Sequence, residues 1–330
     1  MLRYHIIGFF LGFVLDQLIG DPYPIPHPVV WIGRWIAFLE VKLFGKKEEK
    51  REQSMPPQRQ QLAGALLVIL VVLPSALIPA GLLLLLYRIH PAAGIALETW
   101  MTCQLLAAKS LRVESMKVYD ALAGGDLAGG RKAVSMIVGR DTQSLDEAGV
   151  ARAAIETVAE NASDGVIAPM LAACIGGPVL GWAYKSVNTM DSMVGYHNDR
   201  YEHFGTAAAR FDDICNFIPA RLSALLMILA AGVLGPDFNA ANAYRIFRRD
   251  RYNHKSPNSA QTESVCAGAL GIRLAGDASY FGKVVRKPYI GDADRDVEYE
   301  DIRRANTLMN TAAWLGAVIM TVALTIIMIL

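Results

Sequence analysis

Residues 62–86, LAGALLVILVVLPSALIPAGLLLLL, hold no charged side chain. A helix that crosses a bilayer needs about 20 apolar residues, so this run points the chain to a membrane. Pro74 and Pro79 lie inside it and predict kinks, which neighbours must offset by satisfying the freed carbonyls. The tail MNTAAWLGAVIMTVALTIIMIL at 309–330 is a second such run. Residues 4–20 and 216–234 read as further spans, with Asp16 and Arg221 near their ends. Residues 166–184 are apolar too, but GGP at 176–178 cuts them into pieces too short to cross alone, which predicts a broken or re-entrant segment.

The remainder of the chain is too polar for a bare bundle of spans. Hydrophobic residues make up 53% and charged residues 19%, with a mean hydropathy of +0.29. Strand alternation is scarce. The expectation is therefore an all-α, polytopic integral membrane protein with about four to five transmembrane helices and water-facing amphipathic helices, organised as one unit over 1–330. Net charge is +1, and no basic–aromatic tract points to nucleic acid. The four cysteines form no C-x-x-C pair and read as small buried residues. The mixed-charge stretch 45–61 reads as a solvated loop. Residues 95–160 read as amphipathic helices broken at GGDLAGG (124–130). Lys and Arg are balanced between 21–61 and 87–165, so charge does not orient the chain.

Polar clusters stand out against this background, in segments 139–165, 185–215 and 253–276. Arg152, Glu156, Glu160 and Asp164 follow one another at i,i+4 spacing and form one stripe if helical. Arg152 is placed to pair with Glu156, and Gly165 to end the helix. The three carboxylates would repel one another, and a divalent cation would reverse that sign. A solvated face with Asp164 as a cap explains the spacing as well. A second cluster, KSVNTMDSMVGYHNDRYEHFG (185–205), holds Asn188 and Asp191 three apart, then His197 and Arg200. A third, RFDDICNFIPAR (210–221), places Asp212 and Asp213 next to Asn216, flanked by Arg210 and Arg221. Carboxylates with carboxamides and arginines suit a magnesium–phosphate site. A salt-bridged helix face explains any one of them, but polar groups near a bilayer are expensive and usually functional. His27, in GDPYPIPHP (20–28), reads as structural. NHKSPNSAQTE (253–263) offers Asn258 or Ser259 as a helix cap, with His254, Lys255 and Glu263 in excess of what capping needs. GDLAGGRK (125–132) lacks the Lys-Ser/Thr step of a Walker loop.

Taken in order, GDP…HP (20–28), GRDT (139–142), ETVAENASDGVIAP (156–169), VNTMDSMVGYHNDRY…FG (187–205), DD..N..PAR (212–221), SPN….E (256–263) and AGALGIRL.G (267–276) resemble one family across nearly the whole chain. It is that of the integral-membrane adenosylcobinamide-phosphate synthases of cobalamin biosynthesis, CbiB or CobD. The resemblance implies an ATP- and Mg²⁺-dependent ligase of the bacterial cytoplasmic membrane, its active site on the cytoplasmic side. Such enzymes join adenosylcobyric acid to (R)-1-aminopropan-2-ol or its O-2-phosphate, and the expected route is through an acyl phosphate. It implies Glu156, Glu160, Asp164, Asp191, Asp212 and Asp213 as the pool of metal ligands. Asn161, Asn188, Asn216 and Asn258 would orient phosphate or water, and Arg140, Lys185, Arg200 and Arg210 would bind ATP and substrate phosphate. A carboxylate or His197 would take the amine's proton. A homo-oligomer, or association with other corrinoid-pathway enzymes, is compatible with it. A transporter reading expects repeats and more spans, and a non-catalytic signalling relative expects missing carboxylates. The sequence shows neither.

Overall fold

The computed structural model describes residues 1–21, 26–45, 55–196, 198–280 and 282–330. The fold is all-α, as the scarcity of strand alternation predicts. Five helical stretches are long and apolar enough to cross a membrane: Leu2–Ile19, Pro57–Ile89, Glu147–Val194, Thr206–Leu234 and Glu300–Ile329. The chain divides into two compact units, one of 1–106, 169–215 and 320–330, the other of 107–168 and 216–319.

The first unit holds α1 (Leu2–Ile19), α2 (Pro28–Phe44), α3 (Pro57–Ile89), α4 (Pro91–Leu105), most of α8 (Ala168–Val194) and the start of α9 (Thr206–Leu234). α1 packs on α4 through glycines: a Cβ on Gly12 would meet Thr102 at 2.5 Å, and one on Gly8 would meet Glu98 at 2.9 Å. Without a hydrophobic drive between helices in lipid, such small residues let backbones close up and gain dispersion energy. α8 breaks at Gly176 and Gly177, the GGP step. Gly177 has φ 60° and ψ −163°, a region essentially reserved for glycine. Pro178 then lacks the N–H that would bond the carbonyl of Cys174, and His5 Nε2 donates to that carbonyl instead at 3.0 Å. His5 Nδ1 shares a proton with Glu98 Oε1 at 2.6 Å, and Tyr87 Oη donates to the other carboxylate oxygen. A buried carboxylate among apolar helices is thus fully engaged, as its desolvation cost demands. His27 caps α2 by accepting from Val29 N–H and donates to Gln104 O at 2.9 Å, the structural role expected of it. The core of this unit stacks Phe44 on Phe204 with ring centroids 4.4 Å apart, among Ile36, Leu67 and Met190.

The second unit holds α5 (Ala108–Ala123), α6 (Leu127–Ser135), α7 (Glu147–Asn161), α9 from Asn216, α10 (Ala240–Asp250), α11 (Ser259–Leu270) and α12 (Glu300–Ile329) up to Ile319. Asp126 and Asp146 cap α6 and α7 by accepting from Gly129 and Gly149 N–H, each at 2.8 Å. Helix α7 does not stop at Gly165 as its sequence suggested. It passes through a π-helical turn, Ala162–Ile167, into α8. The π turn leaves the Gly165 carbonyl to a partner outside the helix, the N–H of Ala107 at 3.0 Å. Four short strands, which the sequence did not signal, follow α11: β1 (Leu274–Ala275) pairs antiparallel with β4 (Tyr289–Ile290), and β2 (Ala278–Tyr280) with β3 (Lys283–Val285).

Candidate functional site

The second unit contains a polar cavity of about 310 Å³ between α7, the 137–140 loop, the segment before α11 and the β-ribbon. Glu156, Glu160 and Asn161 face it from the end of α7, Arg140 from the loop, and His254, Glu263, Gly276 and Lys287 from the far side. Helical spacing brings Glu156 and Glu160 to one wall, and each is held. Glu156 accepts from Arg140 Nη2 and from the N–H of Ala275 at 2.7 Å. The expected Arg152–Glu156 pair is not made; a residue sixteen positions back in sequence wins because the loop is anchored to the ribbon. Asp141 Oδ2 fixes that anchor, accepting from Ser279 Oγ at 2.7 Å and Gly282 N–H at 2.8 Å, while its own N–H donates to Ser279 O. Glu160 accepts from Ser259 Oγ at 2.9 Å, which ties α7 to the start of α11.

Two backbone features shape the wall opposite. Ala275 has φ 58°, a left-handed conformation that costs a non-glycine residue about 1 kcal/mol or more. Its N–H is the one that reaches Glu156. Gly276 follows at φ 86°, and a Cβ there would strike the Tyr289 ring at 2.3 Å. Strain is concentrated where the ribbon meets the carboxylates.

The electrostatics separate the titratable groups. Glu263 is fully enclosed; burial first, then the charges of Glu160 and Glu156, push its pKa well above the usual carboxylate value. Its surroundings therefore favour the neutral acid over the carboxylate. Burial lowers the His254 pKa, outweighing the pull of Glu160, with Lys287 acting in the same direction as burial. His254 Nδ1 accepts from Ser256 N–H at 3.1 Å, so the neutral ring carries its hydrogen on Nε2 and is a donor. The cavity combines the hydrogen-bonded Glu156 and Glu160, the enclosed Glu263 with its raised pKa, two cationic side chains and an imidazole whose pKa is lowered.

The other candidate residues fall elsewhere in the two units. Asp164 sits in the π turn and does not line the cavity, because the extra residue of that turn shifts it off the Glu156–Glu160 stripe. Asn258 is buried just before α11 and accepts from Arg221 Nη1 at 3.1 Å, and Asn216 is buried on α9. In the first unit, Lys185, Asn188 and Asp191 lie on the second leg of α8. Arg200 donates to Glu40 Oε1 at 2.9 Å and to Gly45 O at 2.7 Å, so its guanidinium is engaged inside that unit. Asp212 is buried, Asp213 half-buried and Arg210 exposed at the start of α9. His197 lies outside the described residues. Among the described residues, no three His, Cys, Asp or Glu side chains gather closely enough to hold a metal unaided. Lys287 and the Ala275 N–H went unread in the sequence; a lysine before Pro288 in a hydrophilic stretch carries no signal of its own.

A family profile described as CobD/Cbib protein matches residues 9–309. The chain belongs to the CobD/CbiB family. It is 41% identical over 314 residues to the cobalamin biosynthesis protein CobD of Clostridium perfringens, covering 95% of this chain and 96% of that one. It is 44% identical over 316 residues to CobD of Streptococcus sanguinis, covering 96% of each. It is 44% identical over 320 residues to CbiB of Salmonella typhimurium, covering 96% of this chain and 97% of the other. No solved structure gives a significant match. The family match extends over residues of both units.

Proposed function

We propose that this CobD/CbiB family member is a cobalamin-biosynthesis ligase of the bacterial cytoplasmic membrane, with its active site on the cytoplasmic side. It joins adenosylcobyric acid to (R)-1-aminopropan-2-ol or its phosphate at the expense of ATP. The observation that carries this reading is the convergence of Arg140 and Lys287 on the cavity walled by Glu156 and Glu160. A cavity of about 310 Å³ is far too small for a corrinoid and suits the phosphate end of a nucleotide.

The chemistry follows from the groups present. A corrinoid side-chain carboxylate attacks the γ-phosphorus of ATP, the bond to the β–γ bridging oxygen breaks, and ADP leaves. Arg140 and Lys287 offset charge on the transferring group, and the neutral His254 donates from Nε2 without adding charge. The amine nitrogen then attacks the acyl carbon, phosphate leaves, and the amine's proton passes to a cavity carboxylate. Mg²⁺ fits the donor set, since Glu156, Glu160 and the Asn161 carboxamide are all oxygen donors. Mg²⁺ takes one or two carboxylates and completes its shell with phosphates and water, which agrees with the lack of a self-sufficient cluster among the described residues. When bound it would neutralise phosphate charge. Asp191, Asp212 and Asp213 remain candidate ligands in the first unit, with Lys185, Asn188 and Arg210 as candidate substrate contacts there and Asn216 as one in the second unit.

The test is direct. Purified protein with ATP, Mg²⁺, adenosylcobyric acid and either amine should yield the amide and ADP, read by mass spectrometry. Hydroxylamine in place of the amine should trap a hydroxamate. No amide with either amine defeats the proposal.

A further inference from the structure

The first unit holds a cavity of its own, of about 610 Å³, which the proposed reaction leaves unused. Helices α2, α3 and α4 each turn one face to it, with residues at i, i+3, i+4 and i+7 counted from Pro28, Ser75 and Leu97. The second leg of α8 adds Trp182. Four of the chain's five tryptophans, Trp31, Trp35, Trp100 and Trp182, thus line one space. A space of this size, walled by apolar and aromatic groups with a few polar ones among them, has the make-up of a small-molecule site.

The mouth of the cavity meets the surface that α3 turns to lipid. Trp31, Ile78 and Leu82 at the rim are 59%, 63% and 43% exposed. The exposed surface continues through Leu77 and Leu85 of α3, and α3 is long and apolar enough to cross a membrane. Among the described residues no Asp, Glu, Lys or Arg lines the cavity, so a charged solute finds no counter-charge there. A lipid enters along an unbroken apolar surface. Hydrocarbon alone does not complete the site. Gln104 and Trp182 are 7% and 3% exposed. Gln104 shares the α4 face of Leu97, Trp100 and Met101, which directs its side chain to the cavity. Its backbone carbonyl accepts from His27, but among the described residues its carboxamide and the Trp182 indole N–H have no hydrogen-bond partner. The Trp35 N–H, in contrast, is taken by Leu70 O. Two buried donors without water to serve them call for an acceptor on the ligand.

We propose that this cavity binds a membrane glycerophospholipid. An acyl chain lies along the indoles, and an ester carbonyl accepts from Gln104 Nε2 and Trp182 Nε1. The charged head group stays outside, because the cavity offers it no partner. The site lies wholly within the first unit and stands whatever reaction the polar cavity of the second unit performs.

The tryptophans report occupancy directly. The full chain in maltoside micelles is titrated with phosphatidylglycerol carrying brominated acyl chains, since bromine quenches indole fluorescence on contact. Quenching should saturate at a single lipid per chain. Trp314→Phe removes the tryptophan outside the cavity and should leave the saturable phase in place. Ser75→Phe fills the cavity from α3 and should abolish it. Gln104→Leu keeps the volume but removes the carboxamide, and should raise the half-saturating lipid concentration about tenfold. A brominated alkane, which has no carbonyl, should bind more weakly than the lipid and equally to wild type and Gln104→Leu. Quenching that grows with lipid and never saturates means an unspecific lipid shell and overturns the proposal. A saturable phase lost in Trp314→Phe or kept in Ser75→Phe puts the lipid elsewhere and also overturns it. Unchanged affinity in Gln104→Leu, or an alkane bound as tightly as the lipid, overturns the carbonyl contact. Thermal unfolding checks the fold of each variant, and the wild-type and Trp314→Phe titrations decide the matter if a cavity variant does not fold.

Discussion

The indole nitrogen of Trp35 donates to the carbonyl of Leu70 at 3.0 Å, and Leu70 is the residue whose helical partner would have been Pro74. A proline inside a helix frees the carbonyl four residues before it, and in lipid no water can take that bond. Helix α2 supplies it from the side. The Cys174–Pro178 pair is served the same way by His5.

Trp35→Phe keeps a ring against α3 but removes the donor, and should cost about 1 kcal/mol of stability. Pro74→Ala restores the internal donor, so the cost of Trp35→Phe should shrink in that background. Thermal unfolding of the four proteins in nanodiscs measures the coupling; equal costs with and without Pro74 would show that the bond contributes nothing.

Glu98 accepts from His5 and Tyr87 in an apolar setting, so Glu98→Leu strands two polar groups. A loss of about 3–5 kcal/mol is expected. Adding His5→Phe should recover part of it, since replacing both partners is cheaper than orphaning one. Denaturation in detergent compares the single and double variants.

Arg140 and Ala275 meet on Glu156, so Glu156→Gln weakens both contacts at once. In the ligase assay a fall of about a hundredfold or more in kcat/KM is expected, with Tm nearly unchanged. Arg140→Lys should also fail to restore activity, because an ammonium lacks the guanidinium fork that reaches Glu156 and phosphate together. Activity near wild type in either variant would separate the cavity from the chemistry.

The Glu263 pKa is raised in the fold above its ordinary value of 4.5, so between the two values the folded state holds a proton that the unfolded state has lost. The folded state then binds the extra proton, so stability should fall as pH rises from about 4.5 towards the raised folded value. His254 works in the opposite sense: its lowered pKa removes stability as pH drops below 6.5. Glu263→Gln mimics the neutral acid. It should fold normally and lose the downward slope at higher pH, leaving that of His254. A Tm series across pH on both proteins reads the difference, and an unchanged slope would place a charged carboxylate in the cavity.

The spans at 62–86 and 309–330, the break at GGP and the Glu156–Glu160 wall could be read from the chain, because each depends on neighbours within a few residues. Gly177 needs its φ whatever surrounds it, and i,i+4 spacing sets one helical face by itself. The Arg152–Glu156 pair and the helix end at Gly165 failed for the same reason in reverse. Each was a local preference of a few tenths to about 1 kcal/mol, overruled by a long-range contact. Arg140 reaches Glu156 because Asp141 binds the ribbon, and the π turn persists with Ala107 bonding the Gly165 carbonyl.

The sequence by itself thus determined the apolar helices, their breaks and which carboxylates share a face, since hydropathy and periodicity act along the chain. Only the tertiary structure decided that Lys287, His254 and the strained Ala275 N–H complete the cavity, because the Ala275 N–H meets Glu156 across 119 positions and such a contact leaves no periodic mark along the chain.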